Sequence, residues 1–181
     1  MADKKLFRLG ACSLEFGEDT EQVIIDSTKG GVQFTVESEV KEITDDQNGS
    51  TPRKTILKGR RAVIEVPMLE IDLKKIAAAM PNSKLTVHGS DPNKAKLEVY
   101  SEAGYDLSQD ERKLVLKPDQ SDEEWITFPL AQPSADINFT YDDDNERIAN
   151  IKFMAMPQKT AEAKNLLYII GDEGITGEET P

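Results

Sequence analysis

The longest regular pattern in the chain is an alternation of apolar and polar residues in two stretches joined by a polar loop. The first stretch runs from Val32 to Thr44 and the second from Arg61 to Met68. Alternation with a period of two is typical of a strand that packs on one face and meets water or a partner on the other. The two stretches therefore predict one long β-hairpin. The apolar set of the first strand is Val32, Phe34, Val36 and Val40, and that of the second is Ala62, Ile64, Val66 and Met68.

The loop between these strands is too long and too charged for a simple turn. It contains glycine and proline and no apolar side chain, which predicts a mobile segment before any assembly. A long, half-polar hairpin of this kind favours a role in assembly. The loop residues are Asp45, Asp46, Gln47, Asn48, Gly49, Ser50, Thr51, Pro52, Arg53 and Lys54.

A short amphipathic helix is predicted after the hairpin, from Asp72 to Met80. The carboxylate of Asp72 is placed to cap its first turn, and Pro81 ends it. Apolar residues at i, i+3, i+4 and i+7 form one narrow stripe, sufficient to cover one sheet. The stripe consists of Leu73, Ile76, Ala77 and Met80.

The rest of the chain alternates strand and turn signals, which predicts a mainly β fold. The run Leu166–Ile170 is either a last buried strand or a docking segment, after a stretch of helical character that begins at Thr160. Further strands are expected at Gln22–Asp26, Lys84–His88, Lys96–Tyr100, Lys113–Leu116, Trp125–Leu130, Asp136–Tyr141 and Ile148–Met156.

Length and charge narrow the function further. A chain of 181 residues fits one domain. Its formal net charge of −12 argues against a sequence-specific nucleic-acid binder and against docking on an anionic membrane. No apolar run approaches the roughly 20 residues of a membrane-spanning helix. Residues 172–181 are acidic and rich in glycine and threonine, and we expect a flexible tail there.

The sequence offers little for catalysis or metal binding. Cys12 and His88 are the only residues of their kinds, so a disulfide framework and a His/Cys metal site are not expected. Lys29-Gly30-Gly31 lacks the order of a phosphate-binding loop. The acidic run Asp142–Glu146 lacks the glycine and distal glutamate of a calcium loop and reads as a solvated hairpin tip. We expect no cofactor, no metal and no enzyme, although the many carboxylates leave a catalytic pair open.

Several segments together resemble the tail tube (major tail) proteins of tailed bacteriophages. They are Thr28-Lys29-Gly30-Gly31-Val32 with its acidic-polar strand, the loop Asn48–Lys54, the Lys58-Gly59-Arg60 entry, the Ala77-Ala78-Ala79-Met80-Pro81 helix end and Asn165–Gly171. The similarity covers most of the chain in order and length, and Lys84 to Pro133 adds little to it.

The resemblance implies a β-sandwich or small barrel with a flanking helix, formed by residues 1–171 with an N-terminal arm. It implies six-membered rings that stack into a hollow tube through which phage DNA passes at ejection. The expected partners are further copies, the tape measure protein and other tail proteins, with no specific binding of DNA and no membrane. The expected location is the virion tail, assembled in the host cytoplasm.

The resemblance also assigns two sets of candidate residues. The loop Asp45–Lys54 would reach the adjacent ring, and the polar face of the first strand, Thr35, Glu37 and Glu39, would line the lumen. An ordinary solvated outer face is the alternative for those three side chains. A lumen poor in cations suits a DNA conduit, since lysines would hold phosphates tightly.

Two other functions compete with this interpretation. A β-sandwich binding or adhesion module would need aromatic side chains grouped on one face, and the chain offers Trp125 and scattered tyrosines and phenylalanines. A secretion-system tube protein of the same architecture would form rings without a capsid.

Overall fold

The computed structural model describes residues 10–47, 49–69, 72–120, 123–137, 139, 146–160 and 165–175. These residues form ten strands and the helix α1 (Leu73–Ala79), which confirms the predicted mainly β fold. The strands are β1 (Cys12–Phe16), β2 (Val23–Ile25), β3 (Gln33–Ile43), β4 (Lys54–Met68), β5 (Ser83–His88), β6 (Asp91–Val99), β7 (Arg112–Pro118), β8 (Ile126–Asp136), β9 (Ala149–Ala155) and β10 (Ile169–Ile170).

Eight of the strands form one antiparallel sheet, in the order β2-β1-β7-β8-β9-β4-β3 with β10 paired to β8. The strands β5 and β6 form a separate two-stranded sheet. The large sheet and the small sheet are consistent with the expected sandwich-like fold. No helix in the described part of the chain is long and apolar enough to cross a membrane.

The large sheet coils over its own core. Phe16 on β1 and Phe153 on β9 are three strand positions apart, which in a flat sheet is about 14 Å. Their ring centroids are only 4.8 Å apart, so the two strands face each other across the interior. The core between them is apolar. It is built from Leu14, Phe16, Ile25, Ala62, Ile64, Val66, Met68, Leu114, Leu116, Phe128, Ala131, Ile151 and Phe153, with Ile76 and Ala79 from α1.

A short crossing brings the two ends of the sheet together. After β2 the backbone of Ser27 accepts from Leu69 N at 3.0 Å, and Lys29 N donates to Pro67 O at 3.0 Å. The chain then turns through Gly30 and Gly31, whose φ angles of 102° and 87° suit glycine. A few residues thus connect the first strand of the sheet order to β3, the last one.

The helix prediction is confirmed in place, and its buried face is corrected in part. Asp72 caps α1 as expected, its carboxylate accepting from Lys74 N at 3.0 Å. The fully buried positions are Ile76 and Ala79. Leu73, Ala77 and Met80, which the stripe predicts to pack, are only half-buried. Ala79, outside the stripe, is buried because the helix contacts β2, β5, β6 and β8 and is covered over a broader arc.

Several strand boundaries also differ from the prediction. β4 begins at Lys54, seven residues before Arg61, because the segment between them pairs with β3 despite its glycine and its irregular alternation. β8 continues to Asp136, six residues past the predicted end at Leu130, and of the strand predicted at Asp136–Tyr141 the described residues Ile137 and Phe139 lie outside any strand. β6 begins at Asp91, five residues before the predicted start at Lys96, and no strand was predicted at β1.

Candidate assembly surface

Half of the β3–β4 hairpin leaves the body of the protein. β4 is buried at alternate positions from Ala62 to Met68, whereas its residues 54–61 are exposed throughout. On β3 only Phe34 is half-buried, and every other position is exposed. We call residues 36–61 the arm. Its seven paired positions from Glu37 to Ile43 span about 20 Å at the usual rise per residue.

The core-facing side of the hairpin carries apolar side chains into the arm, with the polar pair of Ser38 and Arg60 between them. Val36 is paired with the fully buried Ala62, and Val40 is paired with Leu57 on the same face. Val36, Val40 and Leu57 are 37%, 50% and 49% exposed. We call these three side chains the apolar stripe. It continues the core beyond the point where the body can cover it, and uncovered apolar surface of this kind marks interaction sites.

The arm differs from the rest of the chain in charge. Residues 36–61 carry six basic and five acidic side chains, a net charge of +1 in a chain of −12, so the remaining residues carry −13. Within the arm the cations concentrate on β4. Its residues 54–61 include Lys54, Lys58, Arg60 and Arg61 and no carboxylate. Lys58 Nζ lies 2.5 Å from Glu39 Oε1 across the hairpin.

The tip of the hairpin is closed by local bonds. Arg53 N donates to Ile43 O at 2.8 Å, and the Arg53 guanidinium lies 2.6 Å from the Asp45 carboxylate. The loop therefore runs from Thr44 to Arg53, shifted by one residue from the prediction, because β3 already ends at Ile43 and Lys54 already belongs to β4. Asn48 lies outside the described residues, and the mobility of the loop stays a prediction.

The structure brings Thr35, Glu37 and Glu39 onto one face of β3, opposite the apolar stripe. Their partners on β4 are Val63, Arg61 and Gly59, and all three side chains are exposed. The face is therefore polar and open, as predicted. Its place on the lumen of a tube stays a prediction.

The C-terminal segment ties the base of the arm to the body. The two residues of β10 pair with Thr127 and Ile126 of β8. Before this strand Gln158 N donates to Leu166 O at 2.9 Å, and after it Gly171 N donates to Trp125 O at 2.9 Å. We call residues 165–171 the strap. The apolar run in it thus forms a short strand and also packs on the core through Leu167 and Tyr168.

The acidic tail is partly fixed where it is described. Asp172 Oδ1 accepts from Gly174 N at 2.8 Å, and Lys113 Nζ lies 2.8 Å from Glu173 Oε2. The hydrogen bond from Lys113 holds the pKa of Glu173 below its ordinary value. Other predicted segments lie outside the described residues. They are the N-terminal arm at 1–9, tail residues 176–181, the helical stretch at 161–164 and the acidic tip Asp142–Glu146 except Glu146.

His88 and Cys12 have the surroundings of ordinary exposed and half-buried side chains. His88 is exposed at the end of β5, where its Nδ1 accepts from Ser90 N at 3.3 Å. Burial raises the pKa of the half-buried Cys12 thiol, and nearby Asp119 adds to the effect. Within the described residues, histidine, cysteine and carboxylate side chains form no group of three that could hold a metal ion.

Trp125 is the aromatic side chain on which a binding-module function would depend. It is 47% exposed, and the ammonium of Lys117 lies 4.5 Å from its ring centroid. The same ammonium lies 2.7 Å from Glu15 Oε1. Lys117 therefore already occupies one face of the ring, which leaves less of it for a ligand to stack on.

Comparison with models of known protein families finds none that matches the chain, and comparison with curated proteins finds no similar sequence.

Proposed function

We propose that this protein is a structural subunit of a phage tail tube, which polymerises as stacked rings into a hollow conduit for DNA. The observation that carries the proposal is the arm, a two-stranded ribbon that is exposed on both faces. An isolated two-stranded hairpin is marginally stable in water at best. An arm of this length is therefore expected to gain its stability from a partner that covers it.

The apolar stripe supplies a driving force for such a contact. Val36, Val40 and Leu57 are each between a third and a half exposed. Covering them gains roughly 1 kcal/mol for each side chain at the usual value per unit of apolar area. The gain recurs at every contact between copies in a ring, so weak contacts add up to a stable assembly.

The free edge of β3 supports assembly in a second way. Among the described residues, β4 is the strand that pairs with β3, and the other edge of β3 is open over eleven residues. An open edge of this length is a template for pairing with another chain. Neighbouring sheets joined at such edges form a continuous wall, and closing the wall into a ring leaves no edge exposed.

The charge of the chain suits a DNA conduit. The face with Thr35, Glu37 and Glu39 is the part of the arm that we assign to the lumen. Glu37 lies opposite Arg61 and Glu39 pairs with Lys58, so this face carries no excess of cations to hold phosphates, and DNA would pass without binding specifically. The tape measure protein and other tail proteins are the further partners in this proposal, within a virion tail assembled in the host cytoplasm.

Electron microscopy of an arm-shortened variant tests the proposal. Replacing residues 39–59 with Asn-Gly joins Ser38 to Arg60, which are already paired, through a tight hairpin turn. The wild type at high concentration should form rings or tubes, and the variant should stay a folded monomer. A matched control replaces Gly89-Ser90, the two-residue turn between β5 and β6, with Asn-Gly and should assemble normally. Dispersed wild-type monomers under all conditions, or normal tubes from the shortened variant, would contradict the proposal.

A further inference from the structure

A groove runs along the arm on the side away from β3. β9 pairs with β4 only as far as Met154 opposite Val63, and the chain then turns away at Pro157. Residues 57–62 of β4 therefore have β3 on one side and no strand on the other among the described residues. The groove has a volume of about 890 Å³. One wall is Leu57–Arg61, the other is Asn165–Tyr168, and Met154, Ala155 and Pro157 lie between them.

The position of the groove in the sheet suits an added strand. β9 fills the place between β8 and β4 up to Ala155, and the strap then takes over the edge of β8. Where β9 ends, this edge of β4 has no paired strand among the described residues. Its outward backbone N–H and C=O groups therefore face the groove. Such groups are obligatory hydrogen-bonding groups, and an extended segment laid along β4 would pair with them.

The wall of the groove selects for negative charge. Lys58 lies at a β-bulge, where the register shifts between Glu39 and Val40, and Arg60 and Arg61 follow it. A bulge and charged side chains protect an edge against pairing with uncharged strands. Neither guanidinium pairs with a carboxylate in the described part of the chain. A strand that carries carboxylates would satisfy both with strong charge-assisted bonds.

We propose that this groove receives an extended acidic stretch of a second copy of the chain, which adds a strand along residues 57–62 of β4. The second copy is the occupant because the chain outside the arm carries −13 and therefore presents the complementary charge. The inference rests on the proposed function and names the contact by which the arm joins two subunits. The contact is heterologous, since a basic edge meets an acidic surface, and heterologous contacts generate rings or open filaments.

Self-association of a charge-reversed variant tests the inference. Sedimentation velocity of full-length Arg60→Glu with Arg61→Glu should show self-association weakened by about tenfold or more, since each reversed side chain repels the acidic strand. The matched control is Lys84→Glu with Lys94→Glu on the β5–β6 hairpin, which carries the same change in charge and should associate like the wild type. Equal weakening in both pairs would show a general charge effect and overturn the inference.

A second variant guards against damage to the arm itself. Arg61 faces Glu37 across the hairpin, so a glutamate there would repel its neighbour. Arg60→Ala with Arg61→Ala removes the cations without adding repulsion and should still weaken association. Wild-type association of this alanine variant would overturn the inference.

Hydrogen exchange locates the contact. Amides of residues 57–62 should gain protection when the wild type associates, and protection confined to β3 would overturn the inference.

Binding of a short DNA duplex through Arg60 and Arg61, without self-association, would identify nucleic acid as the occupant and would also overturn it. If the arginine variants form normal tubes, the groove contact fails while the tube function stands. If the wild type dimerises through the groove and never forms tubes, the function fails and the groove contact stands.

Discussion

Tyr168 meets Phe34 edge to face, with ring centroids 5.5 Å apart and an angle of 76° between the planes. Phe34 lies on β3 where the hairpin leaves the body, and Tyr168 lies in the strap. Both rings also approach Phe128 on β8, at 6.0 Å and 6.5 Å. The cluster thus joins three elements that are far apart in sequence and fixes the direction in which the arm leaves the body.

Replacing Tyr168 with alanine should therefore loosen the base of the arm. We expect the free energy of unfolding to fall by about 2–3 kcal/mol, from lost burial and lost aromatic contacts. Chemical denaturation measures this change. Ile170→Ala on the same strap is the control, because Ile170 is 58% exposed and should cost less than about 1 kcal/mol. Equal effects of the two substitutions would show that Tyr168 does not support the cluster.

The helix α1 is expected to be structural. Ile76 is 4% exposed and packs against the core. Ile76→Asp would bury an unpaired charge, which should cost several kcal/mol of a total stability near 5–15 kcal/mol. The melting temperature should fall sharply, and ring formation should be lost with it. Lys74→Asp on the exposed side of the same helix is the control. A soluble Ile76→Asp protein with the wild-type melting temperature would refute the packing of this face.

The alternation in the sequence predicted the hairpin and the buried set of β4, but it did not predict the arm. Val36 and Val40 fall on the same face as Phe34, so the pattern cannot distinguish a position inside the core from one beyond its edge. Whether a position on this face is buried depends on whether elements distant in sequence cover it. Covering residues such as Phe128 and Tyr168 come close to the hairpin only after the sheet has coiled.

Other differences have local causes. The strand predicted to end at Leu130 continues to Asp136, because the neighbours of β8 change along its length. β7 and β10 pair with its first half, and β9 pairs with its second half. β1 has three apolar residues at alternate positions, Cys12, Leu14 and Phe16, and so short a run is weak evidence for a strand. The basic groove on β4 was missed because it depends on where β9 ends.

Deleting Gln47–Pro52 separates the role of the loop from that of the arm. The deletion spares Asp45 and Arg53, whose side chains pair across the tip, and leaves β3 and β4 intact. We expect a folded monomer with wild-type thermal stability that does not form tubes, since the loop would contact the adjacent ring. Electron microscopy and circular dichroism measure the two properties. A deletion variant that forms tubes of normal length would show that the loop is dispensable for stacking.

Reversing the charge of the polar β3 face tests its assignment to the lumen. Glu37→Lys with Glu39→Lys replaces two negative charges by two positive ones, which changes the net charge of each subunit by +4. Cations that line a conduit would hold phosphates, with an affinity that falls steeply as salt rises. We expect tubes of the variant to form, to retain DNA at low salt and to release it at high salt, whereas wild-type tubes retain none. Lys58 contacts Glu39, so Lys58→Glu in the same background restores a cross-strand pair and separates weakened assembly from trapped DNA. A tube structure with Glu37 and Glu39 on the outer wall would refute the assignment, because the same carboxylates would then face bulk solvent.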